Sequence, residues 1–132
     1  MGVVADSHAI IWYLQGSQRF SALARSALAD AEAENGLVVS VATMIDLWYV
    51  TQTTQRVTTA QLEAVRDQLA SSPAATLEPI TLAVADAAAT IPRALLGDPW
   101  DRMIVATALA LGLPLVTRDE AIQRSGVVTT LW

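Results

Sequence analysis

Residues 3–12 read VVADSHAIIW, an apolar run that ends in an aspartate and passes at once into a second apolar segment. Val3 to Ala5 is short and uninterrupted, which is typical of a strand buried on both faces. From Ser7 onward the apolar residues recur at helical spacing, which favours a helix. We therefore predict a strand, a turn that contains Asp6, and a helix.

The same alternation continues along the chain. We predict further strands at 37–40, 76–80, 113–117 and 127–131, and helices at 22–33, 42–51, 58–71, 81–90, 98–111 and 119–124. Alternating strands and helices predict an α/β fold with a five-stranded, mostly parallel sheet, right-handed crossovers and helices on both faces. The length of 132 residues fits a single domain spanning 1–132.

Composition excludes several kinds of site. The chain has no cysteine and one histidine, His8, so it has no disulfide, no thiolate zinc site and no imidazole-rich metal site. We expect any metal to be held by oxygen.

Apolar residues make up 53% of the sequence, yet polar residues interrupt every run before the roughly 20 residues that a membrane span needs. The first six residues have no basic region and no long apolar stretch of the kind that signal peptides carry. We therefore expect a cytoplasmic protein that does not associate with a membrane.

Three aspartates stand where a site would form. Asp6 directly follows the first strand, and Asp119 lies two residues after the fourth. The carboxyl ends of parallel strands face one crevice, so these two can converge. Asp46 lies inside an apolar stretch (41–48), where an unpaired charge would cost several kcal/mol of desolvation, so it is expected to face a metal, a base or open water.

Asp98 and Asp101 begin the 98–111 helix and admit two interpretations. Asp98 before Pro99 is a typical N-cap, and Asp101 at the third helical position would suit the helix dipole without any catalysis. Alternatively, both join the acidic group. We favour a structural or supporting role for Asp98 and leave Asp101 open at this point.

Clustered carboxylates repel one another and call for a cation. The chain has no lysine, so a divalent ion is the natural partner. Mg²⁺ prefers oxygen ligands and retains several waters, so one or two direct carboxylates suffice. With such an ion, a water oriented by a carboxylate could attack a phosphorus atom.

The net charge of −5 argues against the basic surface usual for nucleic-acid binders. However, if five of the thirteen acids line one pocket, the remaining eight balance the eight bases. All eight bases are arginines, which suits bidentate contact with phosphate. Codon bias in a GC-rich genome is the alternative explanation.

Other polar and aromatic residues receive more conservative interpretations. We expect His8 to be packed or locally hydrogen-bonded instead of acting as a general base. We expect Ser7 and Thr117 to orient carboxylates or cap helices, since neither has a triad partner. Aromatic side chains on predicted helices are expected in the core or on a partner surface: Trp12, Trp48 and Tyr49.

Four motifs, taken together and in order, resemble those of the PIN-domain toxins, the VapC-like ribonucleases of toxin–antitoxin pairs. They are Asp6 to Trp12 (DSHAIIW), the Ser- and Ala-rich segment from Phe20 to Ala31, residues 97–108 (GDPWDRMIVATA) and residues 115–119 (LVTRD). The resemblance spans nearly the whole chain.

The resemblance implies a PIN-like three-layer fold and a Mg²⁺-dependent endoribonuclease, with Mn²⁺ as a possible substitute. It implies Asp6 and Asp101 as metal ligands, Asp46 and Asp119 as further catalytic carboxylates, and Asp98 as a secondary position. It also implies a homodimer, an RNA substrate of the tRNA or rRNA class, and inhibition by a cognate antitoxin protein.

One position departs from the family pattern: Asp46 stands where the family usually has glutamate. Its shorter side chain raises the alternative of a catalytically weak or inactive PIN-fold protein that acts by binding RNA or antitoxin. Haloacid-dehalogenase-type phosphatases and response-regulator-like phosphate acceptors are excluded because both need a lysine. The phosphatase also needs an aspartate at position 8, where this chain has histidine.

Overall fold

The computed structural model describes residues 2–132, and within them it contains five strands and seven helices. The strands are β1 (Val3–Ala5), β2 (Leu37–Ser40), β3 (Ala75–Glu78), β4 (Leu115–Val116) and β5 (Thr130–Leu131). The helices are α1 (Ser7–Leu14), α2 (Ala22–Ala33), α3 (Val41–Thr53), α4 (Thr59–Ser71), α5 (Leu82–Ala89), α6 (Pro99–Leu111) and α7 (Glu120–Ser125). The predicted alternation of strands and helices is confirmed.

All strand pairings of the sheet are parallel, and the strand order is β3-β2-β1-β4-β5. The chain runs outward from β1 through β2 to β3, and then crosses to β4 on the other side of β1. Strand order therefore reverses between β1 and β4. In open α/β sheets a crevice opens at such a point, outside the carboxyl ends of the strands.

The central strand separates two apolar clusters, which gives the fold its three layers. Val3 and Ala5 pack with buried residues of α1, α2 and α4, whereas Val4 packs with buried residues of α5, α6 and α7. Successive side chains of a strand point to opposite faces, so this run of three buried residues serves both clusters. None of the helices in residues 2–132 is long and apolar enough to cross a bilayer.

Three predicted strands are wrong at their ends. β3 stops at Glu78 because Pro79 has no backbone N–H to donate to the ladder. β4 starts at Leu115 because the Leu113 amide donates to the Ala108 carbonyl (3.0 Å) in closing α6. At β5, the segment from Val127 packs against the second apolar cluster before the ladder begins at Thr130.

Candidate active site

A pocket of about 450 Å³ lies where β1 and β4 end, and all five aspartates considered above line it. They are Asp6, Asp46, Asp98, Asp101 and Asp119. The other lining residues are Ser7, His8, Trp12, Arg56 and Arg118. The crevice therefore gathers acidic side chains from four separate parts of the chain.

Asp6 is held on both carboxylate oxygens. It caps α1, since its Oδ1 accepts a hydrogen bond from the Ala9 amide (2.8 Å), and its Oδ2 accepts one from the Thr117 hydroxyl. Only 7% of Asp6 is exposed. Burial raises the pKa of Asp6, and the hydrogen bonds from Thr117 and Ala9 oppose that rise.

Thr117 connects the ends of the two central strands. While its hydroxyl donates to Asp6, the same oxygen accepts a hydrogen bond from the Asp119 amide (3.0 Å). Asp119 in turn caps α7, because its Oδ1 accepts from the Ile122 amide (2.9 Å). Thr117 therefore fixes a buried carboxylate in place and positions an exposed one.

Asp98 and Asp101 are placed by the start of α6. Asp98 is its N-cap, and its Oδ1 accepts hydrogen bonds from the amides of Trp100 (2.9 Å) and Asp101 (3.0 Å). Pro99 occupies the first helical turn, where its missing N–H costs nothing. Asp98 is thus both a helix cap and a pocket residue, so the two interpretations of it are compatible.

The segment that precedes Asp98 is anchored by Arg102, which sequence reasoning missed. Its guanidinium donates to the carbonyls of Ala88 (2.9 Å), Ile91 (2.6 Å) and Leu96 (2.6 Å). These carbonyls lie at the end of α5 and in the connection to α6. Arg102 therefore fixes the approach to the acidic end of α6.

Asp46 lies half-buried on α3 and lines the pocket. The apolar residues around Asp46 in the sequence suggest a buried helix, but three of them are largely exposed: Ile45, Trp48 and Tyr49 are 45%, 49% and 45% exposed. The structure places Asp46 at the open pocket, so its charge is not buried among these apolar neighbours. Its position at the pocket, not its neighbours, connects it with the other carboxylates.

The carboxylates interact electrostatically. Burial and, after it, the charges of Asp98, Asp119, Asp46 and Asp6 raise the pKa of Asp101 to about 7. A carboxyl group so placed resists ionisation until a cation compensates its neighbours. The pocket is thus suited to attract positive charge.

The donor set fits a hydrated Mg²⁺ better than a fully protein-ligated ion. Among residues 2–132, no three acidic or histidine side chains stand close enough together to hold one ion. Mg²⁺ needs only one or two direct carboxylates, because it retains several waters that other carboxylates can bind. Ser7 Oγ is buried at the pocket without a hydrogen-bond partner in the described residues, which leaves a polar atom for such a water.

The remaining predicted residues have mixed outcomes. Ser7 is the first residue of α1 and Asp6 is the cap of that helix, so the expected capping role of Ser7 is wrong. The alternative role, orienting a carboxylate by a hydrogen bond, is not seen either, because Ser7 Oγ has no hydrogen-bond partner among the described residues. His8 is exposed and its ring lies 5.5 Å from that of Trp12. Arg56 and Arg118 were not predicted; the one available signal was the position of Arg118 between Thr117 and Asp119.

Comparison with known proteins gives consistent matches. The PIN domain family model matches residues 3–127. Ribonuclease VapC22 of Mycobacterium tuberculosis is 30% identical over 98% of each chain. The VapBC2 structure from Rickettsia felis, bound to a DNA fragment from its promoter, superposes with a TM-score of 0.70 at 13% identity, covering 98% of this chain and 97% of the other. VapBC-5 of Mycobacterium tuberculosis, a member of the VapBC family of toxin–antitoxin systems, gives 0.61 at 19% identity over 98% and 96%.

Proposed function

The chain belongs to the PIN-domain family, and from this premise we propose that it is a Mg²⁺-dependent endoribonuclease, the toxin of a toxin–antitoxin pair. The observation that carries the proposal is the meeting of five carboxylates in one crevice at the ends of β1 and β4. Burial and, after it, the charges of the other four carboxylates raise the pKa of Asp101 to about 7, and a perturbed carboxyl group in a crevice supports a functional site that attracts a cation. The name of the ribonuclease relative and the toxin–antitoxin systems among the similar structures support the biological role.

We assign metal binding to Asp6 and Asp101, with Mn²⁺ as a possible substitute for Mg²⁺. Such an ion would polarise the phosphodiester and activate an attacking water. Asp46 and Asp119 complete the catalytic carboxylates, and either can accept a hydrogen bond from that water and orient it. Thr117 holds Asp6 in place, Asp98 caps the helix that carries Asp101, and Ser7 offers its unpartnered hydroxyl to the same pocket.

A second candidate function rests on Asp46. Its side chain is one methylene shorter than that of the glutamate usual in the family, and no three acidic side chains in residues 2–132 are close enough to share one ion. A catalytically weak or inactive PIN-fold protein that acts by binding RNA or antitoxin fits these two facts. Cleavage under added metal distinguishes the two functions.

The proposed partners follow from the proposed role. The substrate is RNA of the tRNA or rRNA class, which places the protein in the cytoplasm, and a cognate antitoxin inhibits it. The exposed Trp48 and Tyr49 offer an apolar surface for that antitoxin, and a basic side chain from it would compete with metal for the carboxylates. We further propose that residues 1–132 act as one PIN-like domain that forms a homodimer.

The test is RNA cleavage by the purified protein with Mg²⁺ or Mn²⁺, compared with Asp6→Asn and Asp101→Asn. Both variants should lose cleavage while remaining folded by circular dichroism, because each removes a ligand charge but also relieves repulsion. Asp86→Asn is the matched control, since Asp86 lies exposed on α5 and outside the pocket. If Asp6→Asn and Asp101→Asn both cleave RNA at the rate of the wild type, the acidic pocket is not the active site. If the wild type binds RNA without cleaving it, the result favours the second function.

A further inference from the structure

A second cavity, of about 590 Å³, adjoins the acidic pocket and has the opposite character. It is lined by Trp12, Gln15, Ser17, Arg19, Arg56 and Arg118. Trp12, Arg56 and Arg118 also line the acidic pocket, so the two cavities share a wall. Three of the eight basic residues of the chain therefore border one groove, which we call the arginine groove.

Arg19 is held over the groove by the turn that follows α1. Its guanidinium carbon lies 5.3 Å from the centre of the Trp12 ring, a cation–π arrangement. Two hydrogen bonds hold this turn in place: the Ser17 amide donates to the Trp12 carbonyl (2.9 Å), and the Arg19 amide donates to Ser17 Oγ (3.2 Å). Arg19 is thus pre-positioned, which reduces the entropy lost when it binds a ligand.

Arg56 and Arg118 are presented by two other anchored turns. The Arg56 amide donates to Thr54 Oγ1 (3.2 Å), and the next residue, Val57, is buried in the core. Arg118 lies between Thr117, which bonds to Asp6, and Asp119, which caps α7. Three loops that are distant in sequence therefore carry one exposed arginine each to the same edge of the sheet.

These arginines keep their charge available. The arginine ion pairs found among residues 2–132 are Arg66 with Asp67 and Arg124 with Glu120, and both lie outside the groove. Arg56 and Arg118 line the acidic pocket without coming within ion-pair distance of its carboxylates. Positive and negative charge are therefore adjacent but separate.

We propose that Arg19, Arg56 and Arg118 bind the phosphates of a single RNA strand next to the bond cleaved in the acidic pocket; this rests on the proposed nuclease function. Guanidinium groups match phosphate oxygens with two parallel hydrogen bonds. A strand that enters the acidic pocket presents its neighbouring phosphates to the adjoining arginine groove. A basic groove that follows the backbone is how proteins bind single strands without sequence preference. Because the chain carries a net charge of −5, this local cluster has to supply the attraction for a polyanion.

The first experiment measures binding without cleavage. A labelled, unstructured single-stranded oligoribonucleotide is titrated with protein in EDTA, and fluorescence anisotropy is followed between about 50 and 200 mM salt. Arg19→Gln, Arg56→Gln and Arg118→Gln should each raise Kd roughly three- to ten-fold and reduce the slope of log K against log salt by about 0.7. Arg93→Gln removes one exposed positive charge that lies outside both cavities, and should leave Kd within about two-fold.

Two outcomes of the binding experiment would overturn the groove. One is an unchanged Kd and salt slope in all three variants. The other is competition by poly-glutamate as effective as that by RNA, which would make an acidic polypeptide the occupant. Melting curves of the variants check that each remains folded.

The second experiment separates this proposal from the nuclease proposal. With Mg²⁺ and RNA substrate, the three variants should raise KM several-fold and leave kcat within about two-fold, because the arginines hold the strand and not the reacting atoms. Weaker RNA binding by the variants, with no cleavage by the wild type, would support the groove and contradict the nuclease. If all three variants bind and cleave RNA as well as the wild type does, the result contradicts the proposed role of the arginine groove and supports the nuclease proposal.

Discussion

Three of the five pocket aspartates also cap helices. Asp6, Asp98 and Asp119 accept amide hydrogen bonds at the starts of α1, α6 and α7. A helix N-terminus carries partial positive charge and stabilises an adjacent carboxylate. Capping thus offsets part of the repulsion in the pocket while it fixes where each carboxylate lies. At each of these three positions, one aspartate side chain therefore both caps a helix and lines the pocket.

At the level of single residues, Asp46 provides the sharpest test. Asp46→Glu should keep or raise the rate of RNA cleavage, because it restores the side-chain length usual in the family and the acidic pocket has room for one methylene. Asp46→Asn should lose activity, because it removes the charge. The measurement is kcat/KM on one RNA substrate with Mg²⁺. An inactive Asp46→Glu beside an active Asp46→Asn would show that Asp46 does not serve in the pocket.

Four of the five acidic positions of the candidate site have a clear local signal in the sequence. Asp6 and Asp119 follow strands, and Asp98 and Asp101 begin a helix. Arg56 has no such signal, and Arg118 has only its position between Thr117 and Asp119, since the proximity of the two arginines depends on how the α3–α4 and β4–α7 turns are placed in space. For Trp48 and Tyr49 the sequence left the core and a partner surface as alternatives, because a mostly apolar stretch does not show which side of a helix faces outward.

At the level of elements, Arg102 should be a determinant of stability. Arg102→Met retains much of the apolar stem but removes the donors to three carbonyls. Hydrogen bonds to charged groups contribute about 1.5–3 kcal/mol each, and some carbonyls would regain water. We expect the free energy of unfolding to fall by about 2–4 kcal/mol in urea denaturation.

The control for Arg102 is Arg93→Gln, an exposed substitution expected to change stability by less than about 0.5 kcal/mol. If Arg102→Met unfolds at the wild-type urea concentration with the same slope, the three carbonyl contacts do not stabilise the fold.

Helices were easier to predict than strand ends, for a physical reason. Helix starts have local signals such as the Thr58 capping box and Asp98 before Pro99. Strand ends depend on pairing with another part of the chain. Val127 has the β-branched character of a strand residue, yet it packs in the core before the ladder begins, and no local pattern indicates this.

For the whole molecule, charge separation connects the fold with the proposed function. The acidic pocket and the arginine groove share one edge of the sheet, where strand order reverses between β1 and β4. The acidic pocket destabilises the folded state when no cation is present, because folding brings together carboxylates that lie far apart in the unfolded chain. The protein is therefore expected to gain stability from the divalent ion that we propose as its cofactor.

This expectation predicts how stability depends on pH. The pKa of Asp101 rises from 3.8 to about 7 on folding, so between about pH 4 and 7 the folded protein holds a proton that the unfolded chain has released. The free energy of unfolding therefore falls as pH rises through this window, and the full penalty is present above about pH 7. The raised pKa of Asp6 acts in the same direction.

In EDTA, the melting temperature of the wild type should accordingly decrease from about pH 5 to pH 8, and Asp101→Asn should flatten this decrease and melt higher at pH 8. Mg²⁺ or Mn²⁺ at pH 8 should restore the melting temperature of the wild type. An ion that binds only the folded state adds about 2.7 kcal/mol to the free energy of unfolding when its concentration is one hundred times its Kd. A monovalent salt of equal ionic strength should not do so, and Asp86→Asn should behave as the wild type. A melting temperature that does not change with pH in EDTA would mean that folding does not raise the pKa of the pocket carboxylates. An equal response to the divalent and the monovalent salt would mean that the pocket binds no specific ion.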